Sequence, residues 1–148
     1  MADSIELEVP PSNKYLAVIR TIMASLATAA STLPDNRIDD LRLAVTEACA
    51  NAIDAEARKA VDDRVPIHVR LEIDADRVAV EVHDEGGGFD PGAVAVHPPA
   101  NQPERLSYER GLGIPLMRAL ADQVEFRSEG GGTTVRLVVN THPRAKRS

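Results

Sequence analysis

The sequence contains no tryptophan, and it has only two phenylalanines and two tyrosines among its 148 residues. Hydrophobic residues nevertheless make up 43% of the chain, so the core has to be built from Ala, Val, Leu and Ile. A chain of this length buries roughly 68–70% of the surface that its unfolded form exposes, which is enough for a core without metals or disulfides. The composition therefore predicts one domain over residues 1–148, with its core at about residues 5–140.

Cysteine is almost absent as well: Cys49 is the only one, which excludes an intramolecular disulfide. It lies inside a helical apolar pattern, where a small buried hydrophobic residue is the ordinary interpretation. No stretch approaches 18 consecutive apolar residues, and no basic segment followed by an apolar run stands at the N-terminus. We therefore expect no membrane span and no signal peptide, and a cytoplasmic location.

An excess of positive charge is also missing, because the formal net charge is −6. This balance gives no electrostatic reason to expect nucleic-acid binding and favours a partner with a basic surface. The one basic cluster, Arg144, Lys146 and Arg147, follows Pro143. We expect residues 141–148 to form a flexible, solubilising tail.

Alternating and helical apolar patterns follow one another along the chain. Alternation predicts strands at Ile5–Val9, Ile67–Ile73, Val78–Val82, Val124–Arg127 and Thr133–Val139. Helical spacing predicts helices at about Asn13–Ala30, with Ser12 as its cap, at about Ile38–Ala60 and at Gly113–Ala121. The segment at about 91–110 is rich in proline, lacks periodicity, and is interpreted as a lid.

This order of elements is not the alternation of strand and helix that builds a doubly wound sheet. Two hairpins imply a largely antiparallel sheet, and each helix needs the same sheet face to bury its apolar stripe. The predicted fold class is therefore α+β, a two-layer sandwich with the helices on one face.

Three short stretches carry the chemistry, and the first is Glu47 and Asn51 on the second predicted helix. Four residues apart, their side chains project from one face, offset from the stripe of Ala44, Ala48 and Ala52. Taken alone, acidic and amide residues at this spacing usually mark a solvated helix face, which is the alternative.

The second stretch, Asp84-x-Gly86-x-Gly88-Phe89, follows a strongly apolar strand. It places a carboxylate beside glycines that allow a ligand to approach the backbone closely. A plain hairpin or an Asx turn is the alternative. It is not a Rossmann fingerprint, because no helix opens directly after the glycines.

The third stretch, Arg110-Gly111-Leu112-Gly113, leads into the last predicted helix, with Pro115 in its first turn. Free N–H groups and the dipole at a helix start favour phosphate. A simple helix-entry turn is the alternative here.

Taken together and in this order, with Gly132-Thr133-Thr134 closing the last strands, the stretches resemble the N, G1 and G2 boxes of the GHKL ATPase superfamily, which gyrase, MutL and histidine kinases share. The resemblance covers roughly residues 38–139. The small size, the run Thr46-Glu47-Ala48 and the box from Tyr108 to Gly113 look most like anti-sigma factor serine kinases of the RsbW type. The fold implied is the Bergerat fold.

That resemblance implies ATP and Mg²⁺ as ligands. Asn51 would bind Mg²⁺ through its amide oxygen, and Glu47 would be the general base for a serine hydroxyl. Asp84 would accept the exocyclic amine of adenine. The other implied nucleotide contacts come from Gly86, Gly88, Arg105, Gly111, Leu112, Gly113 and Thr133, and Arg110 would place its charge near the terminal phosphate.

The implied activity is that of a homodimeric anti-sigma factor that holds a sigma factor and phosphorylates a STAS-domain antagonist. Two alternatives stay open: an ATP-binding switch that does not transfer phosphate, which would not need Glu47, and a fragment of a histidine kinase. The chain departs from the superfamily where a His-Gly pair often follows the asparagine, since it has Asp54, Ala55 and Glu56 there.

Overall fold

The computed structural model of the chain describes residues 3–30, 33–86 and 113–142. The predicted lid at about 91–110 and residues 143–148 of the predicted tail lie outside these ranges. None of the helices within the described ranges is long and apolar enough to cross a membrane.

Five antiparallel strands form one sheet in the order β1-β2-β3-β5-β4. The strands are β1 (Asp3–Val9), β2 (Ile67–Ile73), β3 (Arg77–Asp84), β4 (Gln123–Glu129) and β5 (Gly132–Asn140). The two predicted hairpins are β2–β3 and β4–β5, and β3 pairs with β5 in the middle of the sheet. Asp84, at the end of β3, is paired in register with Thr133 near the start of β5.

Three α-helices fall within the described residues: α1 (Leu16–Ala30), α2 (Asp35–Ala57) and α3 (Gly113–Leu120). The long helix α2 packs across β3 and β5, whereas α1 and α3 pack mainly on α2. The buried stripe of α2 is the predicted one, Leu41, Ala44, Val45, Ala48 and Ala52. Small alanines bring the helix backbone close to the sheet, and this places α2 over the ends of β3 and β5.

The sheet has one covered face and one open face, as the alternation along β2 shows most clearly. Ile67, Val69, Leu71 and Ile73 are buried under the helices, and the residues between them point outward. Ion pairs such as Arg136–Glu81 and Arg70–Glu72 lie on the open face. The predicted α+β two-layer sandwich with helices on one face is confirmed.

The ends of α2 differ from the prediction by three residues each. The helix begins at Asp35 because Pro34 stands at its N-cap and its carbonyl accepts the N–H groups of Arg37 and Ile38. It ends at Ala57, whose carbonyl accepts a hydrogen bond from the Arg64 guanidinium. Sequence periodicity did not reveal this cap because Arg64 lies seven residues beyond the helix end.

The predicted cap at Ser12 is wrong. Ser12 occupies the N-cap position of a short 3₁₀ turn, Asn13–Tyr15, but its side chain makes no capping hydrogen bond. α1 itself starts only at Leu16. The interpretation of Cys49 as a small core residue is confirmed, since its side chain is buried, and burial raises the pKa of its thiol to about 12.

A buried ion-pair network joins the start of α2 to the far end of the sheet. The Arg37 guanidinium donates to Asp122 Oδ2 at 2.5 Å, to Asp40 Oδ2 at 2.7 Å and to the carbonyls of Leu120 and Asn140. Asp122 Oδ2 also accepts the N–H of Asn140 at 2.7 Å. Because Leu120 ends α3, the network fixes the C-terminal end of that helix against α2.

Candidate functional site

Glu47 and Asn51 lie one turn apart on α2, and both are partly buried. The face that they share continues to Ala55 and Arg58, at helical spacing from Asn51. On the side of this face that turns to the sheet, Ala48 and Ala52 are buried. The pair is therefore not on a fully solvated helix face, which was the plain alternative.

A cleft opens between α2 and the ends of the central strands. Asn51, Asp84 and Thr133 contribute its polar groups, together with the side chain of Arg58. The apolar walls consist of Ala48, Ala52, Ala55, Val82, Phe126 and Val135. A mostly apolar recess with a few polar groups directed into it is the usual form of a small-molecule site.

The Asp84 carboxyl is 5% exposed and accepts the N–H of Gly86 at Oδ1, at 2.8 Å. This contact is the Asx turn that the sequence left open as an alternative, and it coexists with the position of Asp84 in the cleft. Burial raises the pKa of the carboxyl, the Gly86 hydrogen bond opposes the rise, and the negative charge of Glu56 adds to it. A buried acid with a raised pKa in a cleft is a feature of functional sites.

The hydroxyl of Thr133 is the second polar group of interest. Thr133 is 4% exposed, and its Oγ1 atom has no hydrogen-bond partner within the described ranges. Buried hydroxyls without a partner are rare and costly in folded proteins. A ligand in the cleft, or a water held by it, would satisfy this atom.

Two predicted glycines lie where an added Cβ would come within 3 Å of a neighbouring atom. Gly86 stands against Ala55, and a Cβ built on Gly86 would lie 2.5 Å from Ala55 Cβ. Gly113, the first residue of α3, stands against the Glu47 side chain. Gly113, the described residue of the third predicted stretch, is therefore beside Glu47 of the first stretch. Gly86 and Gly113 thus lie near opposite ends of the α2 face that carries Glu47, Asn51 and Ala55.

Of the predicted site residues, the structure brings Asn51, Asp84 and Thr133 into one cleft and sets Gly86 against Ala55 of its lining. Gly113 stands against Glu47, which is not among the residues that line this cleft. The remaining predicted residues lie outside the described ranges: Gly88, Arg105, Arg110, Gly111 and Leu112.

Sequence reasoning missed Arg58 and Phe126 as lining residues. Arg58 could have been found, because it is seven residues after Asn51 and thus two turns along the same helix face. Phe126 could not, since its place beside Asp84 depends on β5, with which β4 forms a hairpin, being paired next to β3.

Comparisons with known proteins agree with this geometry. Residues 9–139 match the family described as histidine kinase-like ATPase domain. The serine-protein kinase RsbW of Bacillus subtilis is 34% identical over 136 residues, which cover 89% of this chain and 82% of that protein. RsbW of Staphylococcus epidermidis is 34% identical over 134 residues, 88% of this chain and 83% of that protein.

A solved structure with the same fold is that of the RsbU and RsbW domains of Rv1364c from Mycobacterium tuberculosis. The TM-score is 0.65 at 18% identity, over 93% of this chain and 32% of that one. The match to the family spans most of the chain, and the RsbW relatives exceed 30% identity over most of their own length. The chain therefore belongs to the histidine kinase-like ATPase domain family, among the ATP-using serine-protein kinases of the RsbW type.

Proposed function

We propose that this chain is an anti-sigma factor that binds a sigma factor and uses ATP and Mg²⁺ to phosphorylate a serine of a STAS-domain antagonist. The observation that carries the nucleotide site is the convergence in one cleft of Asn51, Asp84 and the Thr133 hydroxyl, which has no hydrogen-bond partner among the described residues. Apolar walls with a few polar groups are the usual lining of a small-molecule site. We also propose that the protein acts as a homodimer in the cytoplasm.

In this proposal Asp84 accepts a hydrogen bond from the exocyclic amine of adenine, and Thr133 contacts the base through water. Both residues are on paired strands, so the rigid sheet holds them in fixed positions. Val82 and Val135, which precede and follow them on the same face, give the base an apolar floor.

Asn51 is the residue that would hold Mg²⁺, through its amide oxygen. No group of three or more His, Cys, Asp or Glu side chains suited to a metal occurs in the described parts of the chain. A single oxygen ligand fits Mg²⁺, which usually takes one or two protein ligands and completes its shell with phosphates and waters. When bound, the ion would neutralise charge on the phosphates.

Glu47 would accept the proton of the attacking serine hydroxyl. It lies one helical turn before Asn51, and it stands against Gly113 at the start of α3. In this proposal the phosphates of ATP extend from the cleft toward the start of α3, so that Glu47 would be near the reacting group, where a general base has to be.

Calorimetry with ATP and Mg²⁺ tests the nucleotide site. Asp84→Asn should weaken ATP binding at least about tenfold, because one carboxylate oxygen accepts the Gly86 N–H and the other would accept the amine, whereas asparagine has only one acceptor oxygen. The matched control is Asp74→Asn, which changes a carboxylate at the other end of β3 and should leave the affinity unchanged. Equal affinities of Asp84→Asn and the parent protein would show that the site is elsewhere.

Phosphorylation of the cognate STAS-domain antagonist tests the catalytic role. Glu47→Ala should lower the rate by about 10²–10⁴-fold, the range for loss of a general base. Asp39→Ala on the exposed face of α2 is the control and should keep the parental rate. A parent protein that binds ATP but phosphorylates no STAS partner would be the non-catalytic switch instead.

A further inference from the structure

Glu56 is a fully buried carboxylate in the last turn of α2, with 0% of the residue exposed. Its Oε1 atom accepts the N–H of Val65 at 2.9 Å and contacts the Lys59 ammonium at 2.7 Å. Its Oε2 atom accepts the N–H of Glu85 at 3.0 Å. A buried charge is tolerated only when it is paired and hydrogen-bonded, and here both oxygens have partners.

The bond to Glu85 connects α2 with the end of β3. Glu85 directly follows Asp84, and the next N–H, that of Gly86, donates to Asp84 Oδ1 at 2.8 Å. The Lys59 ammonium also reaches the Glu85 carbonyl at 3.4 Å. Glu85 is thus held at its N–H by Glu56 in the last turn of α2 and at its carbonyl by Lys59, two residues beyond the helix end.

The packing of Ala55, the residue before Glu56, also connects α2 with the chain after β3. Ala55 touches the backbone of Gly86 so closely that a Cβ there would lie 2.5 Å from Ala55 Cβ. Consecutive residues of α2 therefore fix consecutive residues of the loop, Ala55 by contact and Glu56 by hydrogen bonding.

A carboxylate is the side chain that this role needs. It accepts hydrogen bonds at two oxygens, whereas glutamine offers one oxygen and turns an NH₂ group toward the other partner. Burial by itself would raise the pKa of Glu56, but the hydrogen bonds from Lys59, Val65 and Glu85 outweigh it and lower the pKa. The group therefore stays an acceptor at neutral pH.

We propose that Glu56 is a positioning residue for base recognition: by holding the Glu85 N–H, next to the peptide whose Gly86 N–H donates to Asp84, it orients the Asp84 carboxylate toward the 6-amino group of adenine. The proposal rests on the proposed nucleotide site. Glu56 does not touch the nucleotide in this scheme, and it acts through Asp84.

The test compares ATP with purine riboside 5′-triphosphate, which lacks the 6-amino group, by calorimetry with Mg²⁺. Four proteins are needed: the parent, Glu56→Gln, Asp84→Asn, and Leu41→Ala as a control that removes buried contacts elsewhere on α2. If Glu56 orients Asp84, Glu56→Gln loses roughly tenfold in affinity for ATP and much less for the analogue. Leu41→Ala should leave the preference for ATP unchanged.

A purely structural role would lower both affinities equally, and that result, or no loss for either ligand, overturns the proposal. If Asp84→Asn keeps the parental preference for ATP, the proposed role of Asp84 itself fails, and the role of Glu56 fails with it. If Asp84→Asn loses the preference while Glu56→Gln keeps it, only the role of Glu56 fails.

A measurement on the parent protein covers the case in which Glu56→Gln does not fold. The Glu85 amide is bonded to a buried carboxylate, and such a bond protects an amide from exchange with solvent. Even without nucleotide, its hydrogen should therefore exchange at least about tenfold more slowly than that of an exposed loop amide. Exchange at the rate of an exposed amide would show that the peptide is not held in place and would overturn the proposal.

Discussion

Glu47 and Gly113 are in contact where α2 meets the start of α3: a Cβ atom built on Gly113 would lie 2.8 Å from Glu47 Oε2 and 3.4 Å from Glu47 Cβ. The glycine at this position thus leaves room for the carboxylate that we propose as the general base. The far end of α3 is held separately, because the Leu120 carbonyl accepts a hydrogen bond from Arg37.

The first prediction concerns Gly113→Ala. The new methyl group should push the Glu47 carboxylate aside, which costs about 1 kcal/mol or less in unfolding free energy because the end of a flexible side chain can move. The phosphorylation rate should fall by roughly tenfold or more, since small displacements of catalytic groups are costly. In the Glu47→Ala background the same change should cause no further loss, and an additive loss would contradict the contact.

The second prediction concerns Gly86→Ala. Here the obstacle is Ala55, including its backbone carbon at 2.6 Å and its carbonyl oxygen at 2.8 Å, so neither side can yield cheaply. We expect a loss of about 1–3 kcal/mol in urea unfolding, together with weaker ATP binding. Glu85→Ala, which removes an exposed side chain next to it, is the control for unfolding. Parental stability of Gly86→Ala would show that the two elements are not in contact.

The third prediction compares two arginines of α2. Arg37→Ala leaves the buried Asp122 carboxylate without its guanidinium partner, and we expect a loss of about 3–5 kcal/mol in unfolding free energy. Arg42, by contrast, forms an exposed pair with Asp39, and Arg42→Ala should change stability by about 0.5 kcal/mol or less. If chemical denaturation gave the same loss of unfolding free energy for Arg37→Ala and Arg42→Ala, the stabilising role of the buried ion-pair network around Arg37 would be contradicted.

The fourth prediction concerns pH and Asp84. Because burial raises its pKa, the folded chain keeps this proton to a higher pH than the unfolded chain does. The free energy of unfolding therefore falls as the pH rises from the pKa of Asp84 in the unfolded chain to its pKa in the folded chain. The stability that is lost in this way is not regained at neutral pH.

Asparagine carries no charge, so Asp84→Asn should be more stable than the parent at pH 7. The difference should shrink as the pH is lowered toward the ordinary range of an aspartate, which thermal unfolding at several pH values can measure. A stability difference that is independent of pH would mean that the charge of Asp84 has no cost in the fold.

The elements of the fold could be predicted from sequence to a large extent. Two patterns were sufficient to predict the strands and the long helix: the alternation along Ile67–Ile73 and Val78–Val82, and the apolar stripe of α2. Burial of one face imposes a fixed period on a strand or a helix, and this period can be read from the sequence. The ends of α2 were predicted less accurately, since they depend on the Pro34 carbonyl, which accepts backbone N–H groups, and on the Arg64 guanidinium, which donates to the Ala57 carbonyl. The cap expected at Ser12 failed because a serine before a helix is a preference, and here the chain forms a 3₁₀ turn instead.

The candidate site, too, could be predicted from sequence only in part. The sequence by itself determined which groups are available, namely the Glu47–Asn51 pair, Asp84 with its glycines, and Thr133, because these residue types and spacings are local properties of the chain. Only the tertiary structure decided that β3 pairs with β5, so that Asp84 faces Thr133 and Phe126 lines the cleft, and that the buried Glu56 holds the Glu85 peptide. Such contacts join residues far apart in sequence, and their geometry follows from the packing of α2 on the sheet, which no local pattern encodes.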